Sequence, residues 1–554
     1  MQQVHPTPGT LRSRAAVLVG ALGGALLAPA SHALVSQSGN VSTSLTGIVE
    51  IGNTSDGTID VFGNDRSAAI NPAEIARLPG VNGLLSVRDG STLHIKPFTL
   101  PGAFGGAETD DSWLVVGLEG DGALAITEGS VLESPRWVPV GALRGSTGSI
   151  VVDGVGSRLA ISGHLDTDVH GLLGGIIPQH GQGFLSIGPR GTGTVTVSNG
   201  GRIEVTQAGN EPTLVMGFGV FLGGEIGGNE GGGNGHLSVV GQGSAVAISG
   251  DNATLAVGTL GGDGFDIPGN GTLEIRDGAH VVVGGGGFAT VEAAAIGAFA
   301  GTRGEALVSG AGSLLDGGDN VSIGLNGTQF DTDPRNDIAG GTGVLTVSDG
   351  ARVESDFGTF IGADGTLRGD GTVVGDVTAF GGTLEPGNSP GDLTVLGNVT
   401  LLDGATVEIE IDSATHFDRI VSTGVFRLGG GTVRFLLGGG IDPSFIETFD
   451  VGDFFARQTA TNEIVSGVAG RDLLGLTSLV LEGFAPGYRI DAITLDGTGF
   501  EVDAAPVPLP GTTALLMPAL AWVVQRRRTA RPLSRRASRH GVSGQAKVPR
   551  GVTL

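Results

Sequence analysis

A short strand–turn–strand pattern recurs through the chain and limits the folds that it can adopt. Each copy has alternating apolar residues, a corner of Asp-Gly type and a second apolar alternation, with corner glycines at Gly90, Gly129, Gly200, Gly278 and Gly350. Alternation puts the apolar side chains on one face of a strand, and Asp-Gly or Asn-Gly suits a corner that needs positive φ. A single unit cannot bury its apolar face, whereas stacked units can.

Two further patterns accompany these units. A Gly-x-Gly-Ser corner occurs at 154–157, 241–244 and 310–313. An apolar residue followed by glycine comes after many units, at Ile51-Gly52, Val116-Gly117, Val140-Gly141, Ile187-Gly188, Met216-Gly217, Val257-Gly258, Ile296-Gly297, Ile323-Gly324 and Ile361-Gly362. Because no helical crossover pattern separates the strands, parallel stacking is favoured. The sequence therefore predicts an all-β chain that forms a right-handed parallel β-helix, or β-solenoid.

Composition agrees with this fold and excludes several functions. The 554 residues include 104 glycines, no cysteine, one tyrosine and three tryptophans. An array of β-sandwich domains, the alternative fold, needs aromatic cores and repeats of about 80–100 residues. Eleven of the 31 Lys and Arg lie in 1–33 and 526–554, which carry no acid, so the remainder has a formal net charge of −36. Such a chain is not a nucleic-acid binder, because phosphates require a basic face.

The N-terminal end predicts a secretory signal over residues 1–33. Arg12 and Arg14 precede the apolar stretch 15–28, and Ser31-His32-Ala33 is a small-x-small site. We expect cleavage between Ala33 and Leu34. A membrane anchor is the alternative, but the stretch is shorter than the roughly 20 residues that a span needs.

The C-terminal end predicts a second targeting segment. A proline-rich stretch, 504–510, precedes an apolar run, 511–524, which we expect to form a hydrophobic helix, and three arginines follow. Arginines after a short apolar helix stay on the cytoplasmic side of a membrane. The segment resembles the PEP-CTERM class of sorting signals in its Val-Pro-Leu-Pro variant. The matching residues are Val507, Pro508, Leu509, Pro510, Arg526, Arg527 and Arg528.

The repeats carry a second resemblance. Over about residues 40–365 they are similar to the repeats shared by type V secretion passengers and PEP-CTERM proteins. The segment 382–391, with 393–395 and 405–411, is similar to the end of autotransporter passengers. An autotransporter would continue into a membrane barrel of about 250–300 residues, whereas about 160 residues remain here. Export is therefore expected to depend on the tail.

These features predict seven segments along the chain. They are a signal peptide at 1–33, an N-terminal cap with the first coils at 34–80, the repeat β-helix at 81–365, its autotransporter-like end at 366–440, a less regular β cap at 441–503, the sorting signal at 504–528 and a basic tail at 529–554.

One alternating polar stretch is a candidate metal site. His164, Asp166, Asp168 and His170 would share one face of a strand, and these side chains are ligands for divalent metals. The other interpretation is a polar outer face or an inserted loop.

Three other motifs favour simple turns or loops. Residues 387–391 match the G-x-S-x-G pattern of serine hydrolases, but Pro390 removes an N–H that an oxyanion hole would use. Residues 261–269 resemble one copy of a calcium-binding nonapeptide that binds only in tandem. Residues 331–337 have calcium-like acid spacing without the glycine and glutamate of an EF-hand. No catalytic residue and no cofactor are predicted.

The resemblances imply an exported, non-enzymatic structural or interaction protein of a Gram-negative cell surface or extracellular matrix. They also imply transient inner-membrane insertion, processing by an exosortase-type protease-transpeptidase, and an association with exopolysaccharide and biofilm. Two alternatives stay open: a β-helical polysaccharide lyase or hydrolase, and an autotransporter-like adhesin. Stretches that interrupt the repeat are the expected binding insertions. They are 96–112, 162–182, 218–235 and 326–340.

Overall fold

The chain folds as a parallel β-helix, as the repeats predict. The structure, a computed structural model, describes residues 34–43, 48–63, 66–96, 98–99, 110–134, 137–163, 183–207, 213–216, 232–250, 253–258, 260–261, 267–284, 294–297, 300–325, 340–458, 464–465, 478–496 and 499–507. The predicted hydrophobic helix after Pro510 lies outside these residues. Within them the chain passes repeatedly through three long sheets in the order sheet 1, sheet 2, sheet 3. In the central coils each strand pairs in parallel with its equivalent in the next coil.

The strands of each sheet come from successive coils. Sheet 1 contains Leu34–Gly39, Gly57–Phe62, Asn82–Val87, Asp121–Thr127, Thr147–Asp153, Thr192–Ser198, Asn234–Val240, Asn270–Arg276, Arg303–Ser309, Thr342–Ser348, Gly365–Gly369, Thr383–Pro386, Thr406–Ser413, His416–Phe417, Thr432–Leu437 and Ser478–Glu482. Sheet 2 contains Ser67–Ile70, Thr92–Ile95, Val131–Ser134, Arg158–Gly163, Arg202–Gln207, Ala245–Ser249, His280–Gly284, Leu314–Asp316, Arg352–Glu354, Thr372–Val374, Asp392–Leu396, Arg419–Ser422, Phe455–Gln458 and Ile464–Val465.

Sheet 3 and a few short elements complete the described chain. Sheet 3 contains Val41–Thr43, Val49–Ile51, Ala73–Ile75, Leu114–Val116, Trp137–Val140, Phe184–Ile187, Thr213–Met216, Thr254–Val257, Ala294–Ile296, Asn320–Ile323, Gly358–Ile361, Val377–Ala379, Val399–Leu401 and Phe426–Leu428. Three two-stranded pairs join Phe98–Thr99 to Asp110–Asp111, Leu260–Gly261 to Ile267–Pro268, and Tyr488–Asp496 to Gly499–Pro506. A 3-10 helix spans Pro443–Thr448 and an α-helix spans Val451–Phe454. Neither helix of this described part could cross a membrane.

Alternation along each strand builds the interior of the solenoid. In Thr192–Ser198 every second residue is buried, and Val195 and Val197 are fully enclosed. Val195 lies beside Ile150 in the preceding coil and Leu237 in the following one, so like residues stack along the axis. Burying one such side chain stabilises the fold by about 1.5–3 kcal/mol. Burial repeated coil after coil replaces the disulfides that a cysteine-free chain lacks.

The corner from sheet 1 to sheet 2 explains why two kinds of repeat alternate. Gly200 is the second residue of an Asn-Gly corner, and its N–H donates to the Oγ of Ser244 in the following Gly-x-Gly-Ser corner. Gly278 donates to Ser313 in the same way. Each serine hydroxyl also donates to a carbonyl at the end of its own strand, as Ser244 does to the carbonyl of Val240. The serine of one corner type therefore satisfies a backbone donor that the other type leaves free.

The corner from sheet 3 to sheet 1 explains the apolar-glycine pairs. Gly188 has φ +64°, and a Cβ built there would lie 2.0 Å from the carbonyl oxygen of Asn234 in the next coil. Equivalent glycines with positive φ and a similarly close neighbouring backbone are Gly52, Gly117, Gly141, Gly258, Gly297 and Gly324. Glycine is needed here because the coils approach too closely for any side chain.

Both ends of the solenoid depart from the parallel pattern. At the N-terminal end Leu34–Gly39 pairs antiparallel with Gly57–Phe62, and Val41–Thr43 pairs antiparallel with Val49–Ile51. At the C-terminal end a cluster of phenylalanines fills the last coils, with Phe454 in ring contact with four others. Its partners are Phe417, Phe435, Phe449 and Phe500. The final hairpin, which contributes Phe500, packs on this cluster.

Candidate functional site

The outer faces of sheets 1 and 2 are charged. On sheet 2 the Nδ1 of His94 lies 2.8 Å from the carboxylate of Glu133, and Arg158 lies between Glu133 and Glu204, at 3.7 and 2.8 Å from their oxygens. Other arginines of these sheets also pair with an acid of the same or a neighbouring strand, as Arg276 does with Glu274. Exposed pairs of this kind add at most about 1 kcal/mol each. The strands of sheet 2 carry equal numbers of acids and arginines, whereas those of sheet 1 carry an excess of acids, so the outer face of sheet 1 is acidic.

One row on sheet 1 gathers two carboxylates between two arginines. Arg368 lies beside Glu385 of the following coil. Glu408 lies beside Glu385 in the next coil, and Arg434 follows in the coil after that. Arg434 donates a hydrogen bond to the carboxylate of Glu408. Partial burial raises the pKa of Glu385, and the nearby Glu408 raises it further. Glu408, by contrast, forms an ion pair with Arg434. Two carboxyl groups with different environments are the arrangement that acid–base chemistry requires.

The outer face of sheet 3 is different, because its central row carries no charge over ten successive strands. Glu74 precedes this row and Arg427 follows it. The row consists of Val115, Pro139, Ser186, Val215, Ala256, Ala295, Ser322, Phe360, Thr378 and Thr400. In a solenoid as acidic as this one, a charge-free stripe marks sheet 3 as a distinct surface.

Burial divides this stripe into two parts. In the first part, from Val115 to Ser322, the described side chains of the central strands are buried, and Val115 itself packs with Leu118 and Ala142 beside Trp113. In the second part Phe360, Thr378 and Thr400 are half-exposed. The second part is therefore the accessible section of the stripe.

Long insertions leave the coil on both sides of sheet 3. Two lie between sheet 2 and sheet 3, at 96–113 and 164–183, and three between sheet 3 and sheet 1, at 217–233, 258–269 and 324–341. The corner from sheet 1 to sheet 2, in contrast, takes only two to five residues in every coil from Gly57–Phe62 to Asp392–Leu396. The strand bounds correct two of the predicted loops, since residues 162–163 and 234–235 belong to strands. Variable loops around a fixed scaffold are where solenoids bind partners.

The G-x-S-x-G segment forms the corner between Thr383–Pro386 and Asp392–Leu396. No helix follows it, so the strand–turn–helix elbow of a serine hydrolase is not formed here. The carboxylate of Asp418 accepts hydrogen bonds from the N–H groups of Gly391 and Glu410, each at 2.8 Å. Burial raises the pKa of Asp418 to about 7 despite these two bonds. Asp418 therefore fixes the corner to the adjacent strand.

A second buried carboxylate lies near the N-terminal end of sheet 3. Glu50 and Glu74 are neighbours on adjacent strands, and both contact Arg77. Glu50 also accepts from Ser42 at 2.9 Å and from Asn53 at 2.6 Å. Burial raises the pKa of Glu74, which Arg77 partly offsets. The contacts join the antiparallel end strand to the first parallel coils, which is a structural role.

The predicted metal ligands cannot be compared with the structure. His164, Asp166, Asp168 and His170 lie outside the described residues, immediately after the strand Arg158–Gly163. The calcium-like segment 331–337 and residues 262–266 also lie outside them. Among the residues that are described, no group of three or more His, Asp or Glu side chains is placed to hold a metal ion.

The predicted processing signals lie at the two ends of the described chain. Leu34 is exposed and begins the first strand, whereas Ala33 lies outside the described residues. Val507 is also exposed, and its N–H donates to the carbonyl of Gly487 at 2.7 Å. The rest of the motif lies outside the described residues: Pro508, Leu509, Pro510, Arg526, Arg527 and Arg528.

Sequence reasoning missed the carboxylate row, Asp418 and the uncharged stripe. Each arises from residues about 20–45 positions apart that stacking brings side by side, and only the register between coils reveals them. Searches against protein-family models and against curated proteins find no match to this chain.

Proposed function

We propose that this chain is an exported, non-enzymatic structural or interaction protein of the bacterial cell surface or extracellular matrix. In this proposal its tail inserts transiently into the inner membrane and is processed by an exosortase-type protease-transpeptidase. The observation that carries the proposal is the long parallel β-helix, a fold that is compatible with an exported surface protein. Leu34 and Val507, which adjoin the two predicted processing sites, are both exposed.

The solenoid itself supports a structural or binding role. A regular scaffold with charged faces on sheets 1 and 2, an uncharged stripe on sheet 3 and insertions beside that stripe presents a long surface to partners. An acidic exterior also keeps such a protein soluble outside the cell. An association with extracellular polysaccharide follows from the sequence resemblance and belongs to the same proposal.

The test is intact mass and cell fractionation in the native host. Deletion should remove 508–554 only, because residues 504–506 belong to the strand Gly499–Pro506 and their loss would disturb the fold. We expect a mature form that starts at Leu34, ends near Pro510 and reaches the surface or the medium. We expect the deleted form to lose that location.

A matched pair of substitutions separates the motif from general basic charge. Replacing Arg526, Arg527 and Arg528 by glutamine should block processing, whereas the same change at Arg535 and Arg536 should not. A full-length protein that stays bound to cells in both variants would contradict the exosortase step. Loss of adhesion without loss of surface display would instead favour the autotransporter-like adhesin.

A second candidate function rests on the row that contains Glu385 and Glu408. A polysaccharide hydrolase needs a pair of carboxyl groups near the scissile bond, one of them with a raised pKa. This row pairs Glu385, whose pKa is raised, with Glu408, which accepts from Arg434. If the chain is such an enzyme, Glu385→Gln and Glu408→Gln will each abolish release of reducing sugar from a soluble polysaccharide. Equal inactivity of the parent protein and both variants would contradict it.

A further inference from the structure

We infer that the accessible end of the uncharged stripe on sheet 3 binds a neutral polysaccharide. This inference deepens the proposed function by naming a partner class and its site. The site, called here the aromatic strip, consists of Phe357, Phe360, Phe380, Thr378 and Thr400. These residues come from three consecutive coils after the last long insertion.

The aromatic rings of the strip are presented on a rigid backbone. Phe357 is 68% exposed, although a solenoid of this kind buries most large apolar side chains. Its N–H donates to the carbonyl of Asp319 at 2.8 Å, and the N–H of Asp356 donates to the carbonyl of Gly318 at 2.8 Å. The neighbouring coil thus holds the corner that carries the exposed ring. A preorganised ring loses little entropy when a ligand binds.

The second and third rings extend this surface. The ring centroids of Phe360 and Phe380 lie 6.1 Å apart at an interplanar angle of 36°. Phe360 faces outward beside Thr378, and the N–H of Phe380 is fixed by the carbonyl of Ile361 at 2.7 Å. Rings in fixed positions on a flat sheet can stack against the apolar C–H faces of sugar rings.

Hydroxyl groups of the strip provide the polar half of such a site. Thr378 and Thr400 occupy successive positions of the row, one strand spacing of about 4.8 Å apart. Both are half-exposed, and neither hydroxyl makes a hydrogen bond within the described part of the chain. Unpaired hydroxyls beside aromatic rings can exchange hydrogen bonds with sugar hydroxyl groups.

Charge selects the class of polysaccharide. No charged side chain lies in this row before Arg427, whereas the strands of sheet 1 carry an excess of acids. An anionic polymer would be repelled by the chain as a whole, and a cationic partner would prefer the acidic face of sheet 1. A neutral polymer is neither repelled by the acidic chain nor attracted to its acidic face. A second copy of the chain is the competing occupant.

The test is affinity electrophoresis of the exported protein in gels that contain hydroxyethylcellulose, dextran or carboxymethylcellulose. We expect at least one neutral polymer to retard the protein and Phe357→Ala to weaken that retardation about tenfold, as loss of an exposed anchor does. Val155→Ala is the matched control, since Val155 is 84% exposed at a corner between sheet 1 and sheet 2, away from sheet 3. Phe380→Ala provides a second variant within the strip.

Three results would overturn the inference. They are no retardation by either neutral polymer, retardation by carboxymethylcellulose alone, and equal retardation of Phe357→Ala and the parent. Sedimentation that shows a dimer lost in Phe357→Ala would assign the strip to a second copy and would also overturn it. The assay uses purified protein, so its failure is distinct from failure of tail-dependent export, which is read from fractionation.

Discussion

The Oγ of Ser244 accepts a hydrogen bond from the N–H of Gly200, 3.0 Å away in the preceding coil. Ser244 is 1% exposed, so no water can replace this acceptor. The contact connects the two repeat types of the sequence, because an Asn-Gly corner leaves the donor and a Gly-x-Gly-Ser corner supplies the acceptor. A coil with an Asn-Gly corner and a coil with a Gly-x-Gly-Ser corner therefore stabilise each other when they stack.

We expect Ser244→Ala to lower the free energy of unfolding by about 1–3 kcal/mol, the cost of a buried donor without a partner. Ser238→Ala is the control, since Ser238 lies on the outer face of sheet 1. Urea unfolding followed by circular dichroism measures both. If Ser244→Ala lowers the free energy of unfolding no more than Ser238→Ala does, the hydrogen bond does not stabilise the corner.

Gly188→Ala should destabilise the chain far more than Gly145→Ala. Both glycines have positive φ, +64° and +82°, but a Cβ at position 145 meets no atom within 4 Å. The strained backbone alone costs alanine about 1–2 kcal/mol. The additional collision at position 188 should abolish secretion or lower the melting temperature by many degrees. If Gly188→Ala and Gly145→Ala have equal melting temperatures, the close approach of the coils does not explain the apolar-glycine pairs.

Asp418 should make stability decrease as pH rises. Its pKa in the folded state, about 7, lies above the ordinary value of 3.8. The folded state therefore retains a proton that the unfolded state has already released between pH 4 and pH 7, and stability falls across that window. Asp392, which pairs with Arg419, and Glu410 are the charged neighbours.

The measurement is the melting temperature at several pH values for the parent and for Asp418→Asn. The decrease between pH 4 and pH 7 should be smaller in the variant, because its side chain does not titrate. A parallel decrease in both proteins would assign the pH dependence to other carboxyl groups.

Phe454→Ala should open a cavity in the C-terminal cluster and cost about 3–5 kcal/mol. Phe454 is fully buried among other rings, whereas Phe357 is exposed, so Phe357→Ala should leave the melting temperature nearly unchanged. Thermal unfolding of both variants tests the contrast. A large loss in Phe357→Ala would mean that this ring supports the fold and would weaken its use as a binding-site probe.

The sequence predicts the β-helix because its determinants are local: alternation sets the faces, and glycine sets the corners. It also places three of the corner serines in a repeated motif, although it does not reveal that Ser244 accepts from Gly200 in the preceding coil. Surface relationships such as that of Glu385 with Glu408 need the register between coils, and register depends on the length of every intervening loop. The aromatic strip is hidden for the same reason, since Phe357 and Phe380 lie in different coils.

The antiparallel strand at the start of sheet 1 limits how far the solenoid can grow. A parallel end strand would offer the next molecule a template for continued stacking into a filament. Leu34–Gly39 runs in the opposite direction, and its residues are mostly exposed, with serines and a glutamine among them. This end of the solenoid is therefore closed to further parallel stacking, and the number of coils encoded in the chain sets the length of the solenoid.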